Sequence, residues 1–102
     1  MAGYVILYKF TEKGLARIKE IPERIKHAKE LSQKMGIRVI GVWVTMGEYD
    51  MISIVDAPND QVLAARVLAT AMAGNMTTQT MRALSEDEFA QVVSQIPEPS
   101  KG

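Results

Sequence analysis

Two apolar runs, Ile37 to Met46 and Met51 to Val55, are separated only by Gly47-Glu48-Tyr49-Asp50, and neither run alternates apolar with polar residues. The connection has the size and composition of a β-hairpin turn. Glycine tolerates backbone angles that other residues avoid, and an aspartate can bond back to local amides. With Glu48 and Tyr49 as the loop and Gly47 facing Asp50, antiparallel register gathers Met46, Met51, Val44, Ser53, Val42 and Val55 on one face. The other face collects Thr45, Ile52, Trp43 and Ile54. A sheet with one wet face would make one of these sets polar. Both are apolar, so both faces of the hairpin call for a cover.

The rest of the chain supplies elements for that purpose. Tyr4 to Phe10 reads as a strand, again apolar on both sides. Thr11 can cap a helix from Glu12, although Gly14 weakens its first turn. Ile18, Ile21, Ile25, Ala28, Leu31 and Met35 recur at three- and four-residue spacing, with Pro22 predicting either a kink or two helices meeting near Ile21. After Pro58-Asn59-Asp60, Gln61 to Ala73 predicts a helix apolar almost all round, with a narrow polar line through Arg66 and Thr70. Gly74-Asn75 ends it, and Met76 to Leu84 reads as a further strand. Ser85-Glu86-Asp87-Glu88 has the form of a capping box, opening a helix with a Phe89, Val92, Val93, Ile96 stripe.

The order strand, helix, strand, strand, helix, strand suits an α+β, ferredoxin-like βαββαβ unit with a four-stranded antiparallel sheet, followed by a C-terminal helix. Residues 1–96 are expected to form the single domain and 97–102 a flexible tail. The two helices of such a unit cover one sheet face. The terminal helix could cover the other, but a second sheet from a partner subunit does so more economically. The expectation is therefore a homodimer or higher homo-oligomer.

Gly47, Tyr49 and Asp50, with Tyr4 to Phe10 before them and Val55-Asp56-Ala57-Pro58 after them, resemble the GYD domain family, which takes its name from this Gly, Tyr and Asp. The resemblance runs from about Tyr4 to Ile96 and includes Gly74-Asn75 to Arg82-Ala83. It implies a dimeric α/β barrel, in which ferredoxin-like units pair through their sheets. It implies no particular activity.

Composition narrows the function classes. Twelve basic and twelve acidic residues cancel, so no long-range field draws the chain to nucleic acid or an anionic membrane. The basic run from Arg24 to Lys34 is interrupted by Glu30 and reads as a solvated helix face. With one histidine and no cysteine, a chain cannot furnish a three-ligand nitrogen or sulfur metal site, and no cofactor is expected. Met1-Ala2-Gly3 runs straight into a strand, which points to the cytoplasm. Seven methionines are accounted for as core filler, with Met35, Met46, Met51, Met72 and Met81 on predicted core positions.

The candidate site residues carry two readings each. His27 could be a general base or a boundary-exposed side chain, and Asp50 a proton acceptor or the residue that holds the hairpin. Tyr8, Trp43 and Arg82 could line a cleft between sheet and helices, with Trp43 otherwise plain core. Tyr49 could place its hydroxyl over a pocket or pack on a neighbouring subunit. The leading reading is a homo-oligomeric ligand-binding or regulatory domain without a catalytic set, able to take a small apolar molecule. One alternative is a cofactor-independent oxygenase or isomerase acting on a hydrophobic compound, with His27 or Asp50 accepting a proton. The other is a structural interaction module.

Overall fold

Aromatic and branched side chains on an extended backbone make Ala2–Phe10 the first strand, β1, of the computed structural model, which describes residues 1–99. Thr11 caps the short helix α1 (Glu12–Ala16), its hydroxyl oxygen accepting the Gly14 amide at 3.1 Å. A 3-10 turn at Ile18–Glu20 leads into α2 (Ile21–Lys34). Pro22 lies in the first turn of α2, where a missing amide hydrogen breaks no helical bond, so two helices meet at Ile21 and none is kinked. Then follow β2 (Arg38–Val44), β3 (Met51–Ala57), α3 (Asp60–Ala73), β4 (Met76–Ala83) and α4 (Glu86–Ser94). The four strands form one antiparallel sheet in the order β2-β3-β1-β4, the ferredoxin-like arrangement. The tail expected at 97–102 falls partly outside the described residues.

The hairpin register differs from the expected one. Val44 pairs with Met51 and Trp43 with Ile52, while the Thr45 amide donates to the Asp50 carbonyl at 2.8 Å, leaving a four-residue loop in place of two. The reason is that Asp50 is claimed by β1: its amide donates to the Tyr8 carbonyl and its Oδ2 accepts the Phe10 amide, both at 2.8 Å. Gly47, at φ 126°, takes the backbone conformation that lets the longer loop turn. A slip by two residues preserves side-chain alternation, so every expected occupant but Met46, which now lies in the loop, keeps its face.

On one face Tyr4, Ile6 and Val55 form the core with Ile37, Ala57 and Leu63 beneath α2 and α3, and the Tyr4 hydroxyl donates to Asp60 in the first turn of α3. Helix α1 is seated by its glycine. A Cβ on Gly14 would lie 2.1 Å from the Asn75 carbonyl oxygen, the same oxygen that accepts the Thr11 amide. The residue that weakens the helix thus permits its docking. Gly14→Ala is expected to destabilise the fold by about 1–2 kcal/mol in chemical denaturation, because a five-residue, mostly exposed helix can give way.

The opposite face carries Val5, Leu7, Ile52, Ile54, Trp43 and Met81, and no helix buries it: Trp43 is 51% and Met81 42% exposed. Helix α4 does not supply the cover, since none of its residues is buried and Phe89, Val92 and Val93 all face solvent. The fold is accordingly long, 59 × 30 × 20 Å. Helix α3, apolar almost all round, has a rotation that its residue pattern leaves open. Its polar pair Arg66 and Thr70 points inward, whereas Leu68 and Met72 are 62% and 87% exposed. Core filling holds for Met51 and in part for Met35, but Met46, Met72 and Met81 stand on the surface.

The capping box forms as expected: Ser85 Oγ accepts the Glu88 amide and Glu88 Oε1 accepts the Ser85 amide, each at 3.1 Å. Glu88 Oε2 accepts Arg82 Nη2 at 2.9 Å. The Ser85 amide, and after it the Arg82 guanidinium, hold the Glu88 carboxyl below its usual range. A carboxylate with a lowered folded-state pKa stabilises above its unfolded value, and that contribution is lost as pH falls through the folded one. The first turn of residues 86–94 should therefore fray as pH falls below the ordinary carboxylate range while the sheet persists, as followed by amide exchange and Cα chemical shifts.

Candidate functional site

Between the covered sheet face and the two long helices lies a cavity of about 80 Å³. Alternation along β1 and β3 brings Ile6, Tyr8, Met51 and Ser53 to its floor. The Tyr8 hydroxyl and Ser53 Oγ are hydrogen-bonded at 2.8 Å, and burial raises the Tyr8 pKa, an effect that this bond partly offsets. Helical spacing brings Ile21, Arg24, Ile25 and Ala28 to one wall from α2, and Leu63, Arg66, Val67 and Thr70 to the other from α3.

Arg66 spans the gap between the helices. Its Nε donates to Ser32 Oγ at 3.0 Å, Nη1 to Thr70 Oγ1 at 2.9 Å and Nη2 to the Ala28 carbonyl at 3.3 Å. All three acceptors are neutral, and burial pushes the guanidinium pKa down. Ser32, a hydroxyl on the buried side of α2, is explained by this bond. Arg24 Nε is shut off from solvent and has no hydrogen-bond acceptor among the described residues.

Of the residues singled out from sequence, only Tyr8 lines this cavity. Trp43 lies on the opposite, open face of the sheet, because it pairs with Ile52 one position out of phase with Ser53. Its indole lies across Gly41, where an added Cβ would come within 2.3 Å of the ring. Arg82 shares the Tyr8 face but sits at the far end of the strand, over the Tyr4 ring at 5.5 Å and bonded to Glu88 and to the Gly3 and Ala83 carbonyls. His27 is exposed on α2 beside Glu23 and Glu30, at 3.4 and 3.7 Å. The carboxylate of Asp50 is engaged by the Phe10 amide.

Tyr49 lies at the sheet rim, its hydroxyl donating to Gln79 Oε1 at 2.7 Å and its ring 5.2 Å from Lys9 Nζ. Thr45 Oγ1 donates to the Tyr49 carbonyl at 2.6 Å. Tyr49 thus ties the hairpin loop to β4. The sequence reading missed Arg24 and passed over Arg66 as a site residue. The available signal was Arg66 with Thr70, an i,i+4 polar pair on an otherwise apolar helix. Among the described residues no three His, Asp or Glu side chains gather as metal ligands, and no helix is long and apolar enough to cross a membrane.

The family model of the GYD domain matches residues 4–93. A Thermus thermophilus protein named glutamine synthetase and cystathionine beta-lyase binding protein is 31% identical over 85 residues, 82% of this chain and 90% of that one. Among solved structures, MtbAldR superposes with a TM-score of 0.64 at 16% identity, over 83% of this chain and 52% of its own. FFRP-DM1 superposes with a TM-score of 0.60 at 20% identity, over 82% of this chain and 100% of its own. At these identities the two structures are alike in fold.

Proposed function

Because the chain belongs to the GYD domain family, we propose that it is a non-catalytic binding domain that pairs sheet to sheet with a second copy and acts by docking on other proteins. The observation that supports pairing is the bare sheet face. Val5, Leu7, Ile52 and Ile54 form its centre, and Trp43 and Met81 extend it over the flanking strands. A contiguous apolar patch across four strands is a liability in a monomer, and a self-complementary sheet covers it without further residues. The apolar side of α4, extending from the body, provides additional surface for the same partner.

Docking on other proteins is supported by the Thermus thermophilus relative, whose name states that it binds two enzymes. Sheet pairing leaves α2 and α3 on the outside of the assembly. The exposed stripe of Ala65, Leu68 and Met72 on α3 would then remain free for a different protein. The oxygenase or isomerase alternative needs a proton acceptor in a cavity, and neither His27 nor Asp50 lines the one between sheet and helices.

The testing experiment is size-exclusion chromatography with light scattering on the full chain. The expected mass is twice that of the 11.3 kDa chain or a higher multiple. A monomer at micromolar concentration would overturn the reading.

A further inference from the structure

We propose that the cavity between the helices and the sheet binds a small organic carboxylate with a branched aliphatic body. This goes beyond the pairing of sheets and does not depend on it, since the cavity lies on the other face.

The charged groups of the cavity share one sign. Arg24, Lys29 and Arg66 line it, and no aspartate or glutamate does. Arg66 donates to a serine, a threonine and a carbonyl, none of which neutralises its charge. A guanidinium does not give up its proton in a protein, so burial leaves a cation in want of a counter-ion rather than a neutral side chain. Arg24, one helical turn before Ala28 on the same side of α2, holds a buried Nε–H with no acceptor among the described residues. Buried donors are nearly always satisfied in native proteins, and an orphan in a cavity that an uncompensated cation also lines marks the place of an absent acceptor. A carboxylate meets both demands, because its two oxygens match a guanidinium fork.

The remaining lining selects the body of that ligand. Ile21, Ile25, Ile37, Val39, Leu63 and Val67 surround the polar corner with aliphatic surface. The cavity volume of about 80 Å³ limits that body to a short one. Inorganic phosphate would satisfy the cations and leave the apolar walls unfilled. An α-amino acid would bring an ammonium group to a cavity that holds three cations and no carboxylate.

The test is isothermal titration of the intact protein with 3-methylbutanoate, its neutral isostere 3-methylbutanamide, leucine and phosphate. The carboxylate is expected to bind at millimolar concentration or tighter, with the other three at least about tenfold weaker. Arg24→Gln and Arg66→Gln should each weaken 3-methylbutanoate by tenfold or more. Arg24→Gln should do so with an unchanged melting temperature, because the Nε–H it removes has no partner among the described residues. Equal binding of acid and amide, binding of phosphate or leucine as tight as the acid, no heat up to about 10 mM acid, or full affinity in Arg24→Gln would each overturn the proposal. Light scattering on the same samples keeps a failure here separate from a failure of sheet pairing.

Discussion

Asp50→Ala is expected to lower the unfolding free energy by about 2–3 kcal/mol. The Asp50 carboxylate accepts the Phe10 amide at 2.8 Å, at the point where β1 ends and Thr11 begins to cap α1. Removing it forfeits a charge-assisted bond and leaves a half-buried amide unpaired, which costs more than the bond itself contributes. The same residue holds the hairpin to β1 through its backbone, so loosening its side chain frees the loop that carries Tyr49. In a thermal melt the fall should be roughly 10–15 °C for a domain of this size. Asp50→Asn keeps an acceptor oxygen without the charge and should recover about half of the loss. An unchanged melting temperature in Asp50→Ala, with some binding property lost, would instead make Asp50 a site residue.

Trp43→Glu is expected to dissociate the assembly while leaving the protomer folded. Trp43 lies flat over Gly41 on the bare face, with half its surface open in the single chain, so the protomer does not depend on it for its core. Across a sheet-to-sheet interface the indole would be the largest aromatic anchor of the face, and a carboxylate in its place would be buried without a counter-ion. The dissociation constant should rise about a thousandfold, equivalent to about 4 kcal/mol. The far-ultraviolet circular dichroism should be unaltered. If light scattering gives the same mass for Trp43→Glu as for the parent, the copies do not pair through this face.

The two experiments act on opposite kinds of residue. Asp50 is satisfied within its own chain, and its loss is felt in stability. Trp43 is unsatisfied there, and its loss is felt in association. The motif that marks the family therefore divides: Gly47 sets the turn, Asp50 fixes it to β1, and Tyr49 ties it to Gln79 on β4.

Much of the fold was legible because it rests on short-range rules. Thr11, Asn59 and Ser85 stand before helices that they cap, Pro22 falls where a helix starts, and Gly74 ends α3 at φ 76°. The apolar character of both hairpin faces follows from period-two alternation, which survived an error of two residues in register because such a slip is an even one. The cavity was not legible. Its cations come from α2 and α3, and Arg24 and Arg66 are 42 positions apart, since 66 − 24 = 42. Which side of α3 faces the sheet could not be read from a helix apolar on nearly every side, and its polar pair turned inward against the usual preference.

The sequence by itself determined the elements, their order, and the surplus of apolar surface that two helices cannot cover, because caps, turns and alternation are set by neighbours along the chain. Only the tertiary structure decided that Asp50 bonds to β1, that Trp43 lies away from Tyr8, and that Arg24 and Arg66 line one cavity without a carboxylate among its lining residues. These depend on strand register and helix rotation, which are fixed by packing between segments far apart in the chain.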